Sequence, residues 1–283
     1  MDQQKRLEPE KYEGMSIFRP PLCHELTGKR FLFDLDDGFK WRLELKDHET
    51  LLFGKAEAAP RAYRYECLKP EEITYFINFE EEGAFPRIGY TLVLDLEQRL
   101  VTLAVANMGQ DPKFPKMPAI RFVFGGILNE KGEAPTVRHG YTPDLVGRAI
   151  NWNYGTFDVV HVYSSERYYR VAFSEKRLAR LKARMEAEGI KPDARRGAYE
   201  DYAAYIKIKD GLYLVSLLET QLCRSRGHGN SLLFLMNLNV MHDVGRSFGT
   251  NDQGENENYV FGAFGEDYDV GETLAKPSLY FVH

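Results

Sequence analysis

The chain has 283 residues, enough for one large domain or two of ordinary size. Its formal net charge of −5 and pI near 5.9 exclude the basic balance expected of a dedicated nucleic-acid binder. The three cysteines, Cys23, Cys67 and Cys223, are odd in number and widely spaced, which supports neither a disulfide framework nor a zinc finger.

The polar stretch Met1 to Glu10 lacks the apolar core of a signal peptide. The longest apolar run, Leu232 to Met241, is interrupted by Asn237 and Asn239 and is too short to span a bilayer. The expectation is a cytoplasmic protein that contacts neither nucleic acid nor membrane.

In chain order, Leu26-Thr27-Gly28-Lys29 leads into Phe31 and Phe33 and the hairpin signal Asp37-Gly38. Trp41-Arg42-Leu43-Glu44-Leu45 alternates apolar and polar residues, as a half-buried strand does. Tyr63 and Tyr65 alternate onto one strand face. Ile73 to Glu80 and Leu92 to Leu96 are apolar strand candidates, and Glu80-Glu81-Glu82-Gly83 reads as an exposed hairpin. Pro112 to Pro118 and Gly132 to Pro135 read as linker, placing a boundary at residue 135 between an N-terminal domain (1–135) and a C-terminal domain (136–283).

The second half repeats the first. Leu145-Val146-Gly147-Arg148, followed by Ile150, Trp152 and the turn Tyr154-Gly155, matches Leu26 onward at an offset of 119 (145 − 26). Leu212 to Glu219 matches Ile73 to Glu80 at an offset of 139 (212 − 73), leaving 20 extra residues in the second copy. Ser174 to Glu188 accounts for them as a helix, with Ser174 as N-cap, Gly189 beyond its end, and Leu178, Leu181 and Met185 on one face. Val159 to Tyr163 and Leu232 to Met236 are further strands, and Asp210-Gly211 is a second hairpin signal. Short strands without alternating helices disfavour a parallel α/β sheet, and closure into barrels would remove exposed edges. The fold class is all-β: two antiparallel barrels in tandem, with one helix inserted in the second.

Candidate chemistry falls mainly in the second copy. Trp152 and Tyr154 share a face, as do His161 and Tyr163 on the next strand. Tyr168 and Tyr169 add phenols. Glu219 ends an apolar run, where burial would raise its pKa, and His161 is an imidazole able to titrate near neutrality. His242 follows the apolar run Leu232 to Met241. Arg224 to Asn230 is a basic, flexible connection, and Gly227-His228-Gly229 fails as a dinucleotide fingerprint because Leu232 replaces the third glycine.

The repeat, together with His139-Gly140-Tyr141-Thr142-Pro143-Asp144 before Leu145, Tyr75 to Glu80, Leu94-Asp95-Leu96 and Val244-Gly245-Arg246-Ser247-Phe248-Gly249, resembles the molybdenum cofactor biosynthesis protein F (MoaF) family over the full length. That resemblance implies two lipocalin-like (calycin-type) barrels. Each repeat opening also resembles phenolic acid decarboxylase, whose catalytic set is two tyrosines, an arginine and a glutamate; in the second copy the tyrosine positions would fall on Trp152 and Tyr154 and the glutamate on Glu219, and Arg196 and Arg64 are the candidates for the arginine. In the first copy the tyrosine positions fall on Phe33 and Leu35 and the glutamate on Glu80.

Three readings follow. The first is a barrel holding an aromatic or carboxylated small molecule, with Trp152, Tyr163, Tyr169, Arg196 and His242 as ligand-binding residues. The second is a cofactor-independent lyase, decarboxylase or isomerase with Glu219, Tyr154 and His161 as catalytic residues and no cofactor or metal. The third is a structural or assembly protein, a homodimer platform among its forms.

Overall fold

The computed structural model describes residues 14–83, 85–172, 179, 183, 186–187, 199–251 and 253–269. The first eight strands form one closed antiparallel barrel: β1 (Arg30–Leu35), β2 (Lys40–Leu45), β3 (Thr50–Lys55), β4 (Arg61–Glu71), β5 (Thr74–Glu80), β6 (Arg87–Asp95), β7 (Leu100–Met108) and β8 (Ala119–Ile127). Each pairs with its sequence neighbour, and Phe33 of β1 pairs with Ile127 of β8 to close the ring. After the short β9 (Gly140–Tyr141) come β10 (Ala149–Asn153), β11 (Asp158–Val162), β12 (Tyr168–Ala172), β13 (Tyr199–Lys209), β14 (Leu212–Leu218), β15 (Asn230–Asn237), β16 (His242–Thr250) and β17 (Asn256–Asp267). These eight close through β10–β17 and β12–β13 pairings, and β9 adds to the edge of β13. No helix among the described residues is long and apolar enough to cross a membrane.

The repeat is visible in the hydrogen bonds. Gly28 N–H donates to Leu45 O (2.6 Å) and Leu45 N–H to Lys29 O (3.1 Å); Gly147 N–H donates to Tyr163 O (2.8 Å) and Tyr163 N–H to Arg148 O (3.0 Å). Both glycines have positive φ, 79° and 88°, which a side chain would disfavour. Leu26 and Leu145 plug the interiors of their respective barrels.

Strand pairing refines the alignment. Phe33 pairs with Trp41 and Trp152 with Val159, so the offset at the first strand is 119, as expected. Followed around both ladders, Phe79 is equivalent to Leu217, an offset of 138 (217 − 79) rather than 139. The counterpart of Glu219 is therefore Glu81, not Glu80. The cause is the run of three glutamates, which leaves the end of the matching block ambiguous by one residue.

Three other expectations change. Pro112 to Pro118 is not a linker between halves: it joins β7 to β8 within the first barrel. Arg224 to Asn230 is not a loop throughout, because α1 (Thr220–Arg226) occupies much of the connection and ends on Gly227 at φ 75°. Glu80 is not a free hairpin residue; it binds Arg87 at 3.0 Å and Asn258 of the second barrel at 2.8 Å. Of the expected helix Ser174 to Glu188, Ala179, Ala183, Glu186 and Ala187 are helical, and the remainder lies outside the described residues.

The barrels join through their outward faces. Leu68, Phe76, Val93 and Ala104 of the first pack with Ile206, Leu214, Leu235, Val244 and Val260 of the second in one buried cluster. Beside it, Arg246 is buried, donating to Asn258 Oδ1 (2.8 Å) and Tyr90 O (2.8 Å). Alternation along each strand thus serves two cores, one inside each barrel and one between them.

Candidate functional site

The two barrel interiors differ in chemistry. The first is lined by Phe33, Leu35, Leu43, Leu45, Leu51, Phe53, Ile77, Leu94 and Val101, all buried, with aromatic rings of Tyr63, Phe79 and Tyr90 at one end. The second carries polar groups at equivalent places. By ladder position Tyr154 stands where the first barrel has Leu35, His161 where it has Leu43, Tyr163 where it has Leu45, Tyr169 where it has Leu51 and Asp243 where it has Val101. The fold does not require these groups, since the first copy closes without them.

On β10, Trp152 Nε1 donates to the Tyr163 hydroxyl at 3.2 Å, and that hydroxyl lies 3.6 Å from Met236 Sδ. Tyr154, one residue past β10, stacks on Phe157 at 5.1 Å and meets the edge of Phe261 at 5.8 Å. Its hydroxyl is buried and makes no hydrogen bond within the protein. Burial first, and the nearby Asp243 carboxyl second, hold the phenol well above its ordinary range.

Asp243 is the residue that sequence reasoning missed. It pairs with Ala263 of β17 and Met236 of β15, and it shares the inward face of β16 with Gly245, whose Cβ position lies against Phe261 and Phe234. It is fully buried; the Ala263 N–H is the one backbone donor acting on its carboxyl, and neither oxygen makes a hydrogen bond of ordinary geometry. Burial raises its pKa well above the usual carboxylate range, so the neutral acid is favoured. His161 lies between the rings of Tyr169 (6.0 Å) and Phe234 (6.2 Å), with Nδ1 unpartnered. Burial lowers its pKa to about 3, so the expectation of titration near neutrality fails and the imidazole is neutral.

Glu219 lies elsewhere in the same barrel. It is half-buried before α1, and its Oε2 accepts the Asn230 N–H at 2.9 Å. Burial raises its pKa to about 7, with Asp201 and Glu257 adding to the rise. Asn230 pairs with Gly249, six residues (249 − 243) along β16 from Asp243, roughly 20 Å of strand. Tyr259 lies within electrostatic reach of both Tyr154 and Glu219. The group beside Tyr154 is therefore Asp243, and Glu219 occupies a separate level.

The remaining expected residues divide. Trp152, Tyr163 and Tyr169 line the interior. His242 faces out, its Nε2 3.0 Å from Phe18 O and its ring against Phe264. Tyr168 is exposed beside Tyr202, and Arg64 is exposed near Glu49. Arg196 lies outside the described residues.

The interior has no counter-cation among its described residues. Arg170 sits on the opposite strand face from Tyr169 and pairs with Glu200 at 3.3 Å, and Arg246 points toward the first barrel. No group of three or more His, Cys, Asp or Glu among the described residues is placed to hold a metal ion. The arrangement offers aromatic walls, a neutral acid, a phenol and a neutral imidazole, all desolvated.

Compared with known proteins, residues 12–110 match the model of the MoaF N-terminal domain. No curated protein matches the chain.

Proposed function

We propose that the second barrel of this chain, whose residues 12–110 match the MoaF N-terminal domain, binds a planar aromatic molecule, neutral or weakly basic, that presents N–H donors to Asp243 and Tyr154. The observation that carries this reading is the set of buried, undersatisfied polar groups: the Tyr154 hydroxyl and His161 Nδ1, which have no partner, and the Asp243 carboxyl, on which only the Ala263 N–H acts. Leaving such a group unpaired costs about 1–3 kcal/mol each, which a ligand offering matched donors and acceptors recovers. The aromatic surroundings supply stacking and edge contacts, and small barrels accommodate one small ligand.

Charge narrows the choice. A carboxylated ligand would meet no cation inside, whereas an amidine- or aminoheterocycle-like edge would draw the Asp243 proton and pair with the carboxylate so formed. Of the aromatic and carboxylated ligands expected from sequence, the aromatic basic class fits better. The first barrel, largely apolar in its interior, serves as the scaffold, and its outer apolar face is covered by the second barrel rather than left for another copy.

The test is a thermal-shift comparison of 2-aminobenzimidazole, indole and benzoate on the wild type and on Asp243→Asn and Tyr154→Phe. A midpoint that rises with 2-aminobenzimidazole and loses most of that rise in Asp243→Asn supports the proposal. A response to benzoate alone contradicts it.

A second reading has its own observation. Glu219, with a pKa of about 7, is matched to proton transfer at neutral pH. It would serve as proton carrier in a cofactor-independent lyase or isomerase. Release of CO2 from a hydroxycinnamate, abolished in Glu219→Gln, would establish it. No release from the folded wild type would rule out the decarboxylase form.

A further inference from the structure

Cys23 and Cys67, 44 residues apart in sequence (67 − 23), meet at one end of the first barrel. Cys23 N–H donates to Cys67 O at 2.8 Å. Such a bond brings two Cα atoms to the separation of paired strands, ~5–6 Å, within the span of a disulfide. The side chains also face each other closely enough for each to shift the other's titration, and Cys67 Sγ lies 3.9 Å from Leu68 O. Cys67 is buried on β4, whereas Cys23 is half-buried and open to small reactants.

The surroundings set the roles. The neighbouring Cys67 thiol pulls the Cys23 thiol down to about 6, helped by the backbone at Glu25 and by Lys69 and opposed by burial and the Glu25 carboxylate. Cys23 first, and burial second, hold Cys67 far above its ordinary range, as a thiol. One sulfur is thus the nucleophile and the other the resolving group. The segment that carries Cys23 closes the barrel end: Leu26 is inserted in the core, and Glu25 is held by Lys69 (2.7 Å) and the Tyr75 hydroxyl (2.9 Å).

We propose that Cys23 and Cys67 are a peroxide-responsive dithiol whose disulfide fastens the segment around Leu26 to β4. The Cys23 thiolate attacks one oxygen of a hydroperoxide; the O–O bond breaks, the departing oxygen takes a proton, and Cys23 becomes a sulfenic acid. Cys67 Sγ then attacks the Cys23 sulfur, the S–O bond breaks and the hydroxyl leaves as water with the Cys67 proton. Two thiols lose two electrons, and the hydroperoxide is reduced to an alcohol, or water, plus water. Cys223, buried within α1 of the second barrel, takes no part.

The test treats the full chain with hydrogen peroxide, blocks remaining thiols with iodoacetamide and maps peptides without reduction. The expected result is a Cys23–Cys67 linked peptide lighter by the two thiol hydrogens, with Cys223 alkylated. The unfolding midpoint should rise by roughly 5–10 °C and fall back with dithiothreitol. Cys67→Ser should stop at a Cys23 sulfenic acid captured by dimedone, and Cys223→Ser should leave the linkage intact. If Cys23 and Cys67 both remain alkylatable in the treated wild type, or if the linkage joins Cys223 or a second molecule, the proposal is overturned; the wild-type map decides even where a variant does not fold.

Discussion

Asp243 and His161 have opposite pH signatures because burial disfavours the charged form of each. The folded pKa of His161 is lowered to about 3, so its contribution is present above the unfolded value near 6.5 and is lost as pH falls toward 3. His161→Leu, the residue of the first barrel at that ladder position, should keep neutral-pH stability and lose less of it between pH 6.5 and 3. Glu219 is raised to about 7, so its contribution is present below the unfolded value near 4.5 and is lost as pH rises through 7. Glu219→Gln should therefore be more stable than wild type at pH 8, by about 2–3 kcal/mol, and close to it at pH 4. Urea unfolding across that range checks both signs. An unchanged pH profile in either variant would mean that the group is not desolvated as described.

At the scale of elements, the second barrel makes room where the first does not. Trp152 pairs with Gly265, whose Cβ position lies 2.7 Å from the indole; the first barrel has Phe33 paired with Ile127. Gly245, at the ladder position of Leu103, would place a Cβ 2.4 Å from the Phe261 ring. Gly245→Ala should cost about 1–3 kcal/mol by overpacking, measured by denaturant midpoint, and should weaken ligand response along with it. The strands themselves were legible in sequence, since Trp41 to Leu45, Val159 to Tyr163 and Leu232 to Met236 carry their alternation or apolar character openly. Their turns were legible from Asp37-Gly38 and Asp210-Gly211. The site was half legible. Trp152, Tyr154, His161 and Tyr163 follow from a two-residue period and Tyr169 reads only as a further phenol, but Asp243 is the second residue of its strand and aspartate is depleted in strands. Only the ladder, which sets it against Ala263 and Met236, puts it inside. Helix α1 was missed because seven residues with Leu222 and Cys223 as their only large apolar side chains give little period to read.

Across the whole molecule, the cluster between the barrels ties their stabilities together. Phe76 and Leu235 are fully buried there and belong to neither interior. The two tryptophans report on separate barrels, Trp41 on the first and Trp152 on the second. Both should lose native emission at one denaturant midpoint. Phe76→Ala should lower it by about 3–5 kcal/mol of stability and separate the two signals. Two distinct midpoints already present in the wild type would contradict a shared core. The division of labour also belongs to this scale: one copy of the repeat has a largely apolar interior that supports a partner copy, and the other carries buried polar groups, which the proposed ligand would satisfy.

The most direct measurement is tryptophan emission in the Trp41→Phe protein, where Trp152 is the sole reporter, during titration with 2-aminobenzimidazole. A saturable change in Trp152 emission, lost in the added Asp243→Asn substitution, is the result expected of a ligand seated beside Tyr154 and Asp243. A flat Trp152 signal alongside a saturable change from Trp41 in the Trp152→Phe protein would place binding in the first barrel and contradict the account.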